Sequence, residues 1–314
     1  MGPKAVCVVG PTACGKTTLG VLLAKRFGGE VVSADSMQIY RGMTIGTAAP
    51  TPREMDGVPH HMIAVAEPEE SWSAARYVQE ATPVLDGILA RGRLPILVGG
   101  TGLWMDAVIR GHGFAPGQAG GAVRRELEAR LAREGIGPLL SQLREADPEA
   151  AERLHPADEK RILRALEVFL ETGKTITQHN RETQALPPRY DALWIGLQFA
   201  NREDMRRLID QRVDQMAREG LSEEVRALLG RGLSKNATAL QAIGYKEFLQ
   251  VLEGSATEEE ALAEVKLRSR QYAKRQLTWL RRNPAIHWIF WEKDRDFARA
   301  LQVSTEILSA WGVS

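Results

Sequence analysis

The stretch Ala5-Val6-Cys7-Val8-Val9 runs directly into Gly10-Pro11-Thr12-Ala13-Cys14-Gly15-Lys16-Thr17. The second part matches the phosphate-loop pattern G-x-x-x-x-G-K-[ST] in full, with an apolar strand before it and an amphipathic helix after it. Glycines at both ends let the backbone curl so that successive N–H groups point inward as an anion nest. Lys16 adds a point charge for the outer phosphates, and the Thr17 hydroxyl suits a shell around Mg²⁺. The helix that follows, through Leu19, Leu22 and Leu23, adds the positive end of its dipole. The pattern predicts a di- or triphosphate site, which ATP-binding proteins share.

Working outward, strand-like runs alternate with helix-like ones. Strands are expected at Glu30–Ser33, His61–Ala66 and Leu94–Val98, with helices at Thr17–Arg26 and Ser73–Arg91. Alternation of this kind gives a parallel sheet covered by helices. Gly111–Gly121 holds five glycines and Pro116 in eleven residues, which is linker composition. A charged helical stretch follows, Ala122 to Arg181, closed by Leu186-Pro187-Pro188. Strand pattern resumes at Ala192–Leu197 and again at His287–Trp291, with helices at Asp204–Ala217 and Thr257–Leu280 and a terminal one after the last strand. The expected fold is therefore α/β: a phosphate-loop kinase-like parallel sheet flanked by helices, residues 1–113 and 191–314, with an inserted all-helical domain, residues 114–190.

Composition sets limits. In 314 residues, 41 basic side chains face 40 acidic ones, so any polyanion site must be a local patch. The two cysteines, Cys7 and Cys14, form neither a disulfide framework nor a metal cluster, which fits a reducing, cytoplasmic setting. No secretory signal pattern and no membrane-spanning stretch is apparent, so no membrane association is expected.

An ATP-hydrolysing site needs a second strand ending in Asp to help hold Mg²⁺. Here the best-formed later strand ends in Gly99-Gly100-Thr101-Gly102 instead. The acid at a strand end near the loop is Asp35. In open α/β sheets the carboxyl ends of the strands form the ligand crevice, so Asp35, Thr101 and the loop are expected to converge there. A carboxylate and a hydroxyl beside a phosphate nest suit proton abstraction coupled to group transfer. Plainer roles are open: Asp35 can cap the turn that follows it, and Thr101 can cap the helix beginning near Leu103. His60-His61 has no acidic or cysteine company in sequence and is read as structural before metal-binding.

From Lys266 to Arg282 seven basic residues occur with no acid among them, interleaved with Tyr272 and Trp279. That density suits a phosphate backbone, with the aromatics free to pack or stack. Lys160, Arg161 and Arg164 form a weaker cluster opposite the stripe Ile162, Ala165, Leu166, Phe169 and Leu170, for which a solvated face and RNA contact are equal readings.

Taken together, GPTACGKT (10–17), SADSMQIYRGMTIGTAAPT (33–51), GVPHHMI (57–63), PILVGGTGLW (95–104), RALEV (164–168), IGYKE (243–247) and RQYAKRQLTWLR (271–282) resemble the tRNA dimethylallyltransferase, or tRNA isopentenyltransferase, family end to end and in order. The resemblance implies transfer of a dimethylallyl group from dimethylallyl diphosphate to N6 of the adenosine immediately 3′ of the anticodon, position 37, with release of diphosphate. It implies that the loop Gly10, Pro11, Thr12, Ala13, Cys14, Gly15, Lys16 and Thr17 holds the diphosphate with Mg²⁺ on Thr17, and that Arg212 reaches it. Asp35 then resembles the general base and Thr101 the group that orients the amine. Asp35, Ser36, Met37, Gln38 and Thr101 match residues that meet the flipped nucleotide. Arg124 and Glu159, Lys160, Arg161, Ile162 and Leu163 match tRNA contacts of the insertion; Lys274, Arg275, Gln276 and Trp279 match a C-terminal one. The implied partners are the tRNA anticodon stem-loop and dimethylallyl diphosphate, with no stable protein partner and a monomeric enzyme. The chain departs from the family where Cys14 stands for the usual Ser, Leu208 for a common Arg and Trp104 for the commoner Tyr. Two rivals share these motifs: a small-molecule or nucleotide kinase, and a non-catalytic RNA-binding protein with a relic loop. The first leaves the basic run unexplained, and the second leaves Lys16, Thr17, Asp35 and Thr101 without work.

Overall fold

The computed structural model describes residues 2–115 and 121–313. Along the chain the elements are β1 (Lys4–Val9), α1 (Lys16–Phe27), β2 (Glu30–Ser33), α2 (Pro52–Met55), β3 (His60–His61), α3 (Ala74–Ala90), β4 (Pro95–Gly99) and α4 (Gly102–Arg110). Then come α5 (Ala122–Glu134), α6 (Ile136–Ala146), α7 (Pro148–Arg153), α8 (Glu159–Thr172) and α9 (Ile176–Ala185). The remainder is β5 (Asp191–Phe199), α10 (Arg202–Arg218), α11 (Leu221–Gly230), α12 (Tyr245–Leu252), α13 (Glu258–Leu280), β6 (Ile286–Trp291) and α14 (Phe297–Ala310). The chain divides into two compact units, Met1–Gly111 with Arg189–Ser314, and His112–Pro188. Of the linker expected over Gly111–Gly121, residues 116–120 lie outside the described residues.

In the first unit the strands form one sheet in the order β3-β2-β4-β1-β5-β6, with every neighbouring pair parallel. A parallel sheet is covered on both faces, so its strands are apolar on both sides of the pleat. Strand β1 shows this directly: Ala5, Cys7 and Val9 enter one apolar cluster, while Val6 and Val8 enter the other. The first cluster packs the sheet against Tyr77, Leu85 and Ile88 of α3 and Trp104, Met105 and Val108 of α4. The second packs it against Leu19 and Leu23 of α1 and Ala300 and Leu308 of α14. The strand expected over His61–Ala66 stops after two residues, because Met62 (φ 60°) and Ala64 (φ 51°) turn the backbone into the left-handed region. Ala66 returns only as an isolated bridge to Tyr40.

The second unit has its own apolar centre, in which Leu127 of α5 and Leu139, Leu140 and Leu143 of α6 meet Ile162, Leu163 and Leu166 of α8. The single helical stretch expected from Ala122 is thus five helices. Gly135 (φ 73°) breaks the chain between α5 and α6, and Pro148 starts α7 with Asp147 as its N-cap.

Candidate functional site

Sheet order fixes the neighbourhood. Strand β4 lies between β2 and β1, with Ser33 level with Val98 and Val9 level with Gly99. The chain therefore leaves three adjacent strand ends as the Gly10–Thr17 loop, as Ala34-Asp35 and as Gly100-Thr101. These turns are tied together: Thr101 N–H donates to the Ala34 carbonyl at 3.2 Å, and Ser36 N–H donates to Thr101 Oγ1 at 3.1 Å. Thr101 precedes α4 without capping it by its side chain, so its hydroxyl faces the Asp35 turn. Asp35 Oδ1 accepts the Met37 N–H at 2.9 Å, an Asx turn that fixes the plane of the carboxylate. The buried Tyr77 hydroxyl donates to the Ser33 carbonyl at 2.9 Å and holds the end of β2.

The loop itself is shaped by what presses on it. Gly15 (φ 91°) starts α1 with no side-chain cap, leaving the first helical N–H groups open to a ligand. Lys16 Nζ donates to the Pro11 carbonyl at 2.7 Å and lies 3.9 Å from Cys14 Sγ. Burial raises the Cys14 thiol, while the charges of Lys16, Arg212 and Arg295 pull it down. The thiol stays a neutral filler of the loop, and those three cations mark the site. Burial lowers the Arg212 guanidinium, and the charges of Asp35, Cys14 and Glu54 oppose that. The Arg212 charge on α10 thus acts on both the Asp35 turn and the loop. Leu208, one helical turn earlier, packs against the apolar core.

A single buried side chain clamps two of the turns. Gln276 of α13, 5% exposed, accepts the Thr12 N–H at 2.9 Å and donates to the Gly100 carbonyl at 3.1 Å. Its amide is that close because Gly100 has no side chain: a Cβ there would lie 2.0 Å from Gln276 Nε2. Gln276, expected at the tRNA face, is thus engaged inside the protein. Tyr272, one turn before it, is expected from the sequence only as an aromatic for packing or stacking, and not as a neighbour of Asp35. Burial and then the Asp35 charge push its phenol up to about 12, against hydrogen bonding to Thr101, so it stays a proton donor beside the Asp35–Thr101 pair.

Of the seven basic residues on this stretch, three are neutralised by acids that the local sequence does not contain or places a turn away. Lys266 pairs with Asp214 at 2.6 Å, Arg268 with Glu264 at 2.5 Å and Arg270 with Asp210 at 2.7 Å. Lys274, Arg275, Arg281 and Arg282 have no acidic partner among the described residues. Arg275 lies over the Tyr272 ring at 5.8 Å and Arg282 over the Trp279 ring at 5.5 Å. Gln271, Lys274, Arg275, Thr278, Trp279 and Arg282 line an open hollow of about 370 Å³. Trp279 is 39% exposed and its indole fits against Gly102, where a Cβ would lie 2.1 Å from Trp279 Cδ1.

In the helical unit the expected tRNA contacts divide. Lys160 and Glu159 are exposed, whereas Ile162 and Leu163 are buried in its core and offer no side chain to a ligand. Arg124 pairs with Glu128 at 2.7 Å and Arg161 with Asp158 at 2.9 Å. Arg164 pairs with Glu167 at 2.9 Å and donates to the Ala115 carbonyl at 2.8 Å. Gln38 is likewise engaged: its amide donates to the Ala48 carbonyl at 3.1 Å and accepts from Ser33 Oγ at 3.0 Å. His61 Nε2 meets Glu30 Oε2 at 2.7 Å, and the same carboxylate oxygen pairs with Arg91 at 2.8 Å.

The segment after Gln38 is held by Glu224 of α11. Its carboxylate accepts the N–H groups of Thr44 and Ile45, each at 2.9 Å, and of Gly46 at 3.1 Å, as well as the Tyr245 hydroxyl. Glu224→Ala leaves three backbone donors without their acceptor and should cost about 2–3 kcal/mol of stability in a urea titration. A loss under about 0.5 kcal/mol would mean that water replaces the carboxylate there.

An α/β sheet that gathers a phosphate-loop turn and an acid–hydroxyl pair on adjacent strand ends, with the half-buried Lys16 of α1 and Arg212 of α10, has the architecture of a group-transfer enzyme. The family model described as IPP transferase matches residues 38–283, and that described as isopentenyl transferase matches residues 3–66. The chain is 47% identical to a tRNA dimethylallyltransferase of Halalkalibacterium halodurans over 301 residues, 96% of this chain and 95% of that one. It is 47% identical to one of Geobacter sulfurreducens, covering 91% of each. The crystal structure of a full-length tRNA isopentenylpyrophosphate transferase from Bacillus halodurans superposes with a TM-score of 0.74 at 44% identity, covering 98% of this chain and 96% of that one. A eukaryotic dimethylallyltransferase acting on tRNA superposes with a TM-score of 0.85 at 28% identity, covering 98% of this chain and 80% of that one. The chain belongs to the IPP transferase family, and it is a transferase. No described helix is long and apolar enough to cross a membrane.

Proposed function

We propose that this protein transfers the dimethylallyl group of dimethylallyl diphosphate to N6 of the tRNA adenosine at position 37, just 3′ of the anticodon, and releases diphosphate. The observation that carries this reading is the convergence of the Gly10–Thr17 loop, Arg212, Asp35 and Thr101 in a chain of this family. The adenine N6 lone pair is delocalised into the ring, so the amine needs a base. The N6–carbon bond forms as the carbon–oxygen bond to diphosphate breaks, and the N6 proton passes to the free oxygen of Asp35. Thr101 orients the amine, and Tyr272 supplies a protonated hydroxyl beside it. Charge growing on the leaving group is met by the loop N–H groups, Lys16 and Arg212. The target base must leave its stack to reach a site at the strand ends.

Mg²⁺ fits this donor set. Among the described residues no three His, Cys, Asp or Glu side chains gather into a metal site. The Thr17 hydroxyl at the end of the loop would hold the ion, which suits one that keeps most of its waters and takes its other oxygens from phosphate. When bound, Mg²⁺ supplies charge neutralisation on the diphosphate.

Transfer of label from radiolabelled dimethylallyl diphosphate to unmodified tRNA tests the reading. Labelled tRNA is expected; absence of label, with ATP consumed on a small acceptor, would replace this function by kinase chemistry. The free end of α13 is the surface we assign to tRNA. Lys274→Ala with Arg275→Ala should weaken tRNA binding and make its log–log salt slope shallower by about 1–2. Arg270→Ala, whose charge is already neutralised by Asp210, should change that slope little. Equal effects of the two sets would move the RNA surface off this end of the helix.

A further inference from the structure

The connection from β6 to α14 touches the Gly10–Thr17 loop from outside the motif. Trp291 Nε1 donates to the Cys14 carbonyl at 2.9 Å. The Phe297 ring packs edge-on against Trp291, with centroids 5.5 Å apart. Phe297 reaches Gly15 itself: a Cβ there would lie 2.7 Å from Phe297 Cζ and 3.3 Å from Arg295 Cδ. The stem of Arg295 therefore runs along the residue that opens α1, and its guanidinium lies 6.0 Å from the Phe297 ring centroid. Among the described residues Arg295 has no acidic partner. Its neighbour Asp296 is engaged as the N-cap of α14, accepting the Arg299 N–H at 2.9 Å. The Arg295 charge acts on both the Cys14 thiol of the loop and the Arg212 guanidinium.

A solvent-accessible arginine held by an aromatic ring, beside uncapped helical N–H groups and two further cations, is complementary to an anion. We propose that Arg295 is a diphosphate-binding residue of this enzyme, closing over the outer phosphate of the donor and of the released diphosphate from the β6–α14 side. The proposal rests on the reading that the Gly10–Thr17 loop holds diphosphate. A planar fork matches two phosphate oxygens at once, which an ammonium group does not. Arg295 would then act on the outer phosphate while Lys16 acts from the loop and Arg212 from α10.

The test is titration calorimetry with inorganic diphosphate and Mg²⁺, paired with steady-state kinetics. Arg295→Ala should raise the Kd for diphosphate and the KM for dimethylallyl diphosphate together, by about 5–50-fold, with the KM for tRNA unchanged. Arg295→Lys should recover only part of the loss. The unliganded unfolding midpoint of both variants should equal that of the wild type, since the side chain holds no other polar partner. Wild-type diphosphate affinity in Arg295→Ala would overturn the role of Arg295 and leave the loop reading standing. A wild-type protein that binds no diphosphate would overturn both.

Discussion

Asp35→Asn is expected to lower transfer to tRNA on the order of 10²-fold or more, with the fold and tRNA binding intact. The choice of asparagine matters. One carboxylate oxygen of Asp35 holds the turn by accepting the Met37 N–H. An amide oxygen can keep that bond, but an amide takes no proton from N6. Asp35→Ala removes both functions, so it should lose transfer and also loosen the turn that presents Ser36 to Thr101. The pair therefore separates base from brace. Single-turnover transfer by Asp35→Asn near the wild-type rate, alongside a slow Asp35→Ala, would leave Asp35 as a brace only and send the search for the base elsewhere.

Lys16→Ala is expected to cut kcat on the order of 10²–10³-fold, the range for removing one group aimed at developing charge in a preorganised site. The Lys16 ammonium rests on the Pro11 carbonyl at 2.7 Å, so its transfer to an incoming phosphate breaks one neutral acceptor contact and gains an anionic one. Stability should change little, since the side chain is partly exposed and covers no apolar core. A fall in kcat with nearly unchanged KM for tRNA places the lost interaction on the leaving group. An equal rise in KM for both substrates would instead mean that the loop had collapsed.

What could be read from the sequence was local. The phosphate-loop pattern, the strand endings at Asp35 and Thr101, and the alternation of strands and helices each lie within a few consecutive residues. The rule that ligands gather at the carboxyl ends of parallel strands then brings the endings together without further information. What could not be read depends on pairing across the chain. Nothing near Arg270 announces Asp210 on another helix, yet that acid removes Arg270 from the free basic surface. Gln276 looks like one more polar residue on a basic helix, and only the fold turns it inward onto Thr12 and Gly100. Arg295 belongs to no motif; it reaches Gly15 because β6 lies beside β5 and returns the chain to α1. The strand over His61–Ala66 fails for a backbone reason, since Met62 and Ala64 are not residues that signal left-handed geometry.

The position of β1 in the sheet has a consequence for how the chain is made. One edge of β1 pairs with β4, from Val6 opposite Ile96 to Val9 opposite Gly99, and can do so early. Its other edge waits for β5, from Lys4 opposite Asp191 to Val9 opposite Gly196. Between them the ribosome must add the whole of His112–Pro188, a delay of roughly 4–15 s. For that interval a strand whose Ala5–Val9 stretch is wholly apolar stands half-paired on a nascent chain, while the five helices, whose contacts are local, can close around their own leucines first. The newborn enzyme is thus most prone to aggregate during synthesis of its helical unit, and a chaperone that covers strand edges would be needed most in that window.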